Sequence, residues 1–202
     1  YNMVYVDVLD KFGNSCEPGE IGRVVANSPC TMLYYKNNPE ATDKFFIKDS
    51  LGKVWGDCCV YGYKDGYGEI HMKGRINSED KIQPFQIADT VLKDTKNILS
   101  CEVIKIEDKY VIHFVAMPDA KIKDTNKLIM SIYKRCLKIF GKEITSQFVF
   151  NKRNEFPLSG CGKRNNIALT EEGIPNNSLI VVSGLGIENY IVENNKKKIK
   201  KL

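Results

Sequence analysis

Lys163 closes the run Pro157-Leu158-Ser159-Gly160-Cys161-Gly162 and is followed by Arg164. A lysine beside glycines in a loop can be carried to a reacting carboxylate or phosphate. Two stretches upstream suit the same chemistry. In Trp55-Gly56-Asp57 a carboxylate stands near a strand entrance, where its two oxygens can take two hydroxyls of a ribose. Gly74-Arg75 offers a planar guanidinium fork for ribose or phosphate oxygens. Each has an ordinary reading when taken alone: Asp57 as a turn-former beside glycine, Arg75 in a surface ion pair, Lys163 as a solvated loop lysine. Together they describe half of an active site.

Other chemistries fit less well. The loop around Lys163 fails the phosphate-loop pattern. Leu158 and Pro157 stand four and five residues before Gly162 where glycine would be needed, and Arg164 stands where Ser or Thr would bind magnesium. The seven cysteines, at 16, 30, 58, 59, 101, 136 and 161, are odd in number and contain no Cys-x-x-Cys. That argues against a disulfide scaffold and for a reducing, cytoplasmic compartment. With only His71 and His113 as imidazoles, a structural zinc site is not expected, and metal ligands are assigned to none of the residues. Cys161 has no histidine near it in sequence to make it a catalytic thiol.

The chain of 202 residues is long enough for one or two domains. Its composition, 43% hydrophobic and 27% charged, is that of an ordinary soluble protein, and no run approaches the roughly 18 apolar residues of a transmembrane span. The formal net charge of +5 owes much to Lys196, Lys197, Lys198, Lys200 and Lys201. Elsewhere basic residues are not interleaved with aromatics as a nucleic-acid surface would require, so nucleic acid is not the expected partner.

The elements that must position these residues follow from pattern. Residues 1–73 read as β-rich, with strands at 3–9, 21–27, 54–60 and 68–72 and a short helix over 39–46 opened by Pro39. Asp10-Lys11-Phe12-Gly13-Asn14 and Lys64-Asp65-Gly66-Tyr67 are turn chemistry. After Arg75 the rhythm changes to α-β-β-α-β: a helix over 84–93, a hairpin of strands 101–106 and 110–116, an amphipathic helix over 127–140 and a strand over 145–150. That order suits a small α+β domain with two helices on one face of a sheet. The expected fold class is therefore α+β, a β-rich, distorted barrel-like segment followed by this small domain. Leu179-Ser183 and Ile187-Val192 can pair as a hairpin across Gly184-Leu185-Gly186.

The stretch Gly19-Glu20-Ile21-Gly22-Arg23-Val24-Val25-Ala26-Asn27-Ser28-Pro29, then Leu33-Tyr34-Tyr35-Lys36-Asn37-Asn38-Pro39-Glu40-Ala41-Thr42, resembles the adenylate-forming (AMP-binding) superfamily of acyl-CoA synthetases and nonribosomal-peptide adenylation enzymes. Trp55-Gly56-Asp57 resembles its Thr-Gly-Asp element, with Trp55 in place of threonine. Asp65-Gly66-Tyr67-Gly68-Glu69-Ile70 and Gly74-Arg75 resemble the approach to its hinge, and Pro157 to Lys163 its closing Pro-x-x-x-x-Gly-Lys loop. The ordered series covers about residues 19–170.

The resemblance implies a large N-terminal portion and a small mobile C-terminal domain that together activate a carboxylic acid with ATP, release pyrophosphate and usually pass the acyl group to a thiol. On that pattern residues 1–74 are the β-rich end of the large domain, 75–170 the mobile domain, and 171–202 an extension holding the hairpin and a basic tail. Asp57 would hold the ribose hydroxyls of ATP or the acyl-adenylate, Arg75 would assist at the ribose, Asn77 would be the hinge, and Lys163 would reach between the attacking carboxylate and the α-phosphate. A cation is needed where charge gathers in the transition state, and a domain rotation can bring it there. The implied cofactors are ATP/AMP with Mg2+, the ion's ligand being expected in the missing N-terminal part, and CoA or phosphopantetheine. The implied partners are that N-terminal domain, a carboxylic acid, and CoA or a carrier protein.

Two departures qualify this pattern. Only eight residues separate Arg75 from Pro84, where the family has several more lining the thiol tunnel. Gln86-Ile87-Ala88 also replaces the family's Glu-Ile-Glu. The alternative is a non-catalytic binding or regulatory module descended from the family. Alone, the 202 residues are expected to be catalytically inert.

Overall fold

The computed structural model describes residues 4–76, 82–182 and 186–190. The chain divides into two compact units, Tyr1–Lys81 and Ile82–Leu202.

The first unit is a five-stranded sheet of β1 (Tyr5–Leu9), β2 (Gly22–Asn27), β3 (Phe46–Lys48), β4 (Val54–Lys64) and β5 (Ile70–Arg75), with one short helix, α1 (Pro39–Phe45). All pairings are antiparallel. β4 is the axis: one edge runs along β2, while the other pairs first with β3 and then with β5. Period-two alternation divides the apolar side chains between the two faces. Val8, Cys16 and Val24 form one small core, and Leu9, Val25 and Trp55 form the other. Gly22 is needed where β2 starts, because a Cβ there would lie 2.4 Å from the Leu9 carbonyl oxygen. α1 starts as its sequence dictates, with Pro39 in the first turn and the Asn38 side chain accepting a hydrogen bond from the Ala41 N–H.

The second unit carries the main core. Its sheet has the order β10-β9-β8-β7-β6, from β6 (Ile98–Ile106), β7 (Lys109–Ala116), β8 (Phe148–Arg153), β9 (Leu179–Val182) and β10 (Gly186–Asn189). β7 and β8 are parallel and the other pairs antiparallel, so the sheet is mixed. α2 (Pro84–Leu92) and α3 (Thr125–Thr145) supply Ile87, Val91, Leu128, Ile129, Ile132 and Cys136 to one core, against Val103, Ile112, Phe114 and Phe150 of the sheet. Asp124 caps α3, and Arg135 joins α3 to Asp94 beyond α2 at 3.0 Å. The expected architecture, a β-rich segment and then helices on a second sheet, is the one found.

Three differences from the sequence reading have local causes. α3 breaks at Gly141, where φ is 74°, and resumes for one turn. Thr145, read as the start of a strand, ends that turn with its hydroxyl donating to the Gly141 carbonyl at 2.9 Å, so β8 starts only at Phe148. A third helix of the second unit, α4 (Asn166–Glu172), has no counterpart in the sequence reading. It buries Leu169 against Ile104, Val115 and Phe156 on the sheet face away from α2 and α3. The predicted C-terminal hairpin forms as β9 and β10; residues 183–185, like the basic tail, lie outside the described residues.

Candidate functional site

Asp57 sits where β4 exchanges β3 for β5 along its edge. The register there is irregular. Arg23 of β2 faces Tyr61 and Val25 faces Asp57, so the single residue of β2 between them, Val24, spans three of β4, Cys58 to Val60. Cys59 absorbs the excess with φ 56°, a left-handed conformation uncommon outside glycine. The bulge holds the Asp57 carboxylate from both sides: Oδ1 accepts the Cys59 N–H at 2.8 Å and Oδ2 accepts from Arg23 Nη1 at 3.1 Å. The Asp57 side chain is only 8% exposed, against 37% for Arg23. A carboxylate has about four acceptor sites, so each oxygen retains capacity for one hydroxyl beside its present donor.

Arg75 reaches the same bulge. It pairs with Val60 across the ladder, and the next residue, Ile76, donates its N–H to the Cys59 carbonyl at 3.0 Å. The Cys59 thiol is pushed up by partial burial and then by the Asp57 carboxylate, while Arg23 and Arg75 pull it down. Two of the sequence-predicted residues, Asp57 and Arg75, are thus brought together with Arg23 around one irregularity of β4. The sequence pattern alone assigns no role to Arg23. Strand alternation puts it on the face of Val25, whose cross-strand partner is Asp57, but only the irregular register of β2 on β4 reveals the pairing. Asn77, the expected hinge, lies outside the described residues.

Lys163 belongs to the second unit, on a tight loop between β8 and α4. The Ser159 N–H donates to the Lys163 carbonyl at 2.7 Å, the Ser159 hydroxyl donates to it at 3.1 Å, and Gly162 returns a bond to the Ser159 carbonyl at 2.8 Å. Gly162 takes φ 76°, which a Cβ would strain. The loop is pinned by its neighbour rather than by Lys163. Arg164 donates to Glu102 Oε1 at 2.6 Å and to the Cys101 carbonyl at 3.3 Å, and its guanidinium lies 5.1 Å from the Phe156 ring centre. Asn165 then caps α4 by accepting the Ala168 N–H. The backbone is fixed while Lys163 is exposed, as a group that must reach a ligand requires. Cys161, at the loop tip, has its thiol drawn below the usual range by the Ser159 hydroxyl 3.1 Å away.

Among the described residues one trio could hold a metal ion, Asp65, Glu69 and His71. Asp65 Oδ1 already accepts the N–H groups of Tyr67 and Glu69, and Oδ2 lies 2.8 Å from His71 Nε2. Mg2+ demands six oxygen ligands in near-octahedral array, and this turn-closing set with an imidazole does not fit it. No step is therefore derived through that ion. A second polar cluster, His113 with Asn151 and Arg153, is buried behind the sheet of the second unit; Arg153 Nε donates to His113 Nδ1 at 3.0 Å and also pairs with Glu172 of α4.

No family model matches the chain. Among curated proteins it is similar to the zwittermicin A synthase ZmaJ of Bacillus cereus, 26% identical over 166 residues, which is 77% of this chain and 30% of that protein. It is also similar to the 2-succinylbenzoate–CoA ligase of Bacillus licheniformis, 28% identical over 106 residues, 50% of this chain and 21% of the ligase. The chain thus spans about a third or less of these relatives. Among solved structures, NpsA of Klebsiella oxytoca in complex with 3-hydroxyanthranilyl-AMSN superposes with a TM-score of 0.61 at 15% identity, over 84% of this chain and 35% of that one. The amide bond synthetase McbA of Marinactinospora thermotolerans superposes with a TM-score of 0.54 at 16% identity, over 86% and 35%. These last two likenesses are of fold.

Proposed function

This chain belongs to the adenylate-forming (AMP-binding) superfamily, and from that premise we propose that it is the C-terminal part of an ATP-dependent ligase that activates a carboxylic acid as an acyl-adenylate. The observation that carries the reading is the β4 bulge, which gathers Asp57, Arg23 and Arg75 at one point of an otherwise regular sheet. Asp57, oriented by Arg23 and the Cys59 N–H, accepts the two ribose hydroxyls, and Arg75 assists there. Lys163 acts at the reacting centre: a carboxylate oxygen bonds to the α-phosphorus, the bond to the pyrophosphate oxygen breaks, and the ammonium meets the charge gathered between them. Pyrophosphate leaves with the electron pair.

The rest of the proposal follows the same pattern. Residues 1–74 end the large domain, 75–170 form the mobile one, Asn77 is the hinge, and 171–202 are an extension. The acyl group then passes to a thiol, CoA or the phosphopantetheine of a carrier protein. An N-terminal portion supplies the acid pocket and the Mg2+ ligand. The seven free cysteines support a cytoplasmic setting.

The test is acid-dependent ATP–pyrophosphate exchange by the full-length gene product over a broad panel of carboxylic acids. Exchange with one acid establishes adenylation and names the substrate. Absence of exchange with every acid, in a folded full-length protein, moves the reading to the non-catalytic module.

A further inference from the structure

The outer side of α3 is organised in bands. Leu128, Ile129, Ile132 and Cys136 face the core. Next to them Met130, Tyr133 and Leu137 are half-buried. Beyond that stripe Lys127, Lys134 and Lys138, at spacings of seven and four, make an exposed ridge along one face, and Lys142 continues the positive charge past Gly141. None of these four lysines forms an ion pair with another described residue. Arg135, the helix's other cation, is committed to Asp94.

The half-buried stripe is the floor of a trough. Between α3 and the start of β10 a groove of about 560 Å³ is lined by Lys127, Met130, Lys134 and Ile187 among others. Between α3 and β9 a second groove of about 390 Å³ is lined by Tyr133, Leu137, Lys142 and Val181 among others. Met130 and Gly186 line both, so the two are continuous. Among the described residues no aspartate or glutamate lines either groove. Residues 125–145 hold one acid, Glu143, against five cations, and the sequence after Tyr190 holds Glu193 against five lysines.

We propose that this trough docks an acidic amphipathic helix of a partner protein. An apolar stripe recurring at three- and four-residue intervals enters between Met130, Leu137 and Ile187, and carboxylates along its edge meet Lys127, Lys134 and Lys138. From Lys127 to Lys138, before the break at Gly141, α3 runs roughly 17 Å, about three turns of a docked helix. The concavity favours a helix over a lipid surface. The apolar side chains lie on the floor, below the ammonium groups, whereas a membrane-binding face presents them outermost. The charge pattern gives the ridge a role in partner choice and encounter rate as much as in affinity. The site is independent of the adenylation reading, since it uses neither Asp57, Arg75 nor Lys163.

The experiment is fluorescence anisotropy of the 202-residue chain with a labelled synthetic helix of about five turns, leucine on one face and glutamate on both flanks. A companion peptide carries lysine for glutamate. Saturable binding of the glutamate peptide at micromolar Kd is expected, at least about tenfold weaker in high salt and about tenfold weaker for Lys134→Glu. Met130→Glu should abolish it with an unchanged circular dichroism spectrum, and Lys11→Glu, in the first unit, should leave it intact. The proposal is overturned by absence of saturation, by equal binding of the lysine peptide, or by full-strength binding to Lys134→Glu. Capture by phosphatidylserine vesicles without peptide binding overturns it equally, in favour of lipid.

Discussion

At the scale of single residues, the site rests on how two charged side chains are held. Asp57 is nearly buried and has Arg23 as its ion-pair partner, so removing Arg23 leaves a carboxylate short of a donor in a desolvated place. In the proposed full-length ligase Arg23→Ala should raise KM for ATP roughly tenfold, the worth of about one charge-assisted hydrogen bond, with kcat little changed. Steady-state kinetics at saturating acid checks this. An unchanged KM would show that Asp57 needs no such support. A second residue-scale prediction concerns His113. Burial first, and the Arg153 cation second, push its pKa down to about 4 from an ordinary 6.5. The folded chain therefore binds fewer protons than the unfolded one between those values. Stability from this group is complete above pH 6.5 and falls as the pH drops toward 4, by roughly 3 kcal/mol if the whole shift is realised. Urea unfolding of the second unit followed at pH 7 and pH 5 should show the decline, and His113→Asn should lack that component. Parallel pH slopes in the two proteins would contradict it.

At the scale of elements, the loop that presents Lys163 is braced by Arg164, whose guanidinium ties it to β6 and lies over Phe156. Arg164→Ala should cost about 1 kcal/mol of stability and speed amide exchange from residue 157 to 165. Exchange mapping by mass spectrometry decides the matter, and unaltered protection in that segment would mean the turn is self-sufficient. The elements also show what a sequence can disclose. α2, β7 and the first part of α3 were readable because proline starts and 3.6- or 2-residue periodicity agreed with what packing rewards. Gly141 marked where the long helix stops, and the first segment ends at Phe140 as its pattern predicts. α4 was not readable: seven residues with a single buried side chain, Leu169, carry too little periodicity, and its Asn165 cap is an ordinary loop residue until the helix is seen. β3 is shorter still and exists through its pairing with β4, a long-range fact. The site divides the same way. Asp57, Arg75 and Lys163 stood out by glycine neighbours and order along the chain. The partnership of Arg23 with Asp57 depends on a bulge that shifts register by two residues, and no local pattern announces it.

At the scale of the whole molecule, the chain offers two compact units with candidate chemistry divided between them: a ribose-binding candidate in the first and an exposed lysine on a braced loop in the second. Such a division makes sense in a ligase whose half-reactions use different arrangements of the same parts, with the lysine present only for adenylate formation. It also separates the proposed roles experimentally, because binding and chemistry then respond to different substitutions. The most direct measurement is single-turnover acyl-adenylate formation by the full-length protein carrying Lys163→Ala, with the acid that supports exchange. The account predicts a loss of at least about a hundredfold in rate, the scale of removing one transition-state charge contact, with ATP affinity and the circular dichroism spectrum nearly unchanged. Adenylate formation at the wild-type rate would contradict the role given to Lys163 and, with it, the reading of the second unit as the catalytic half of the site.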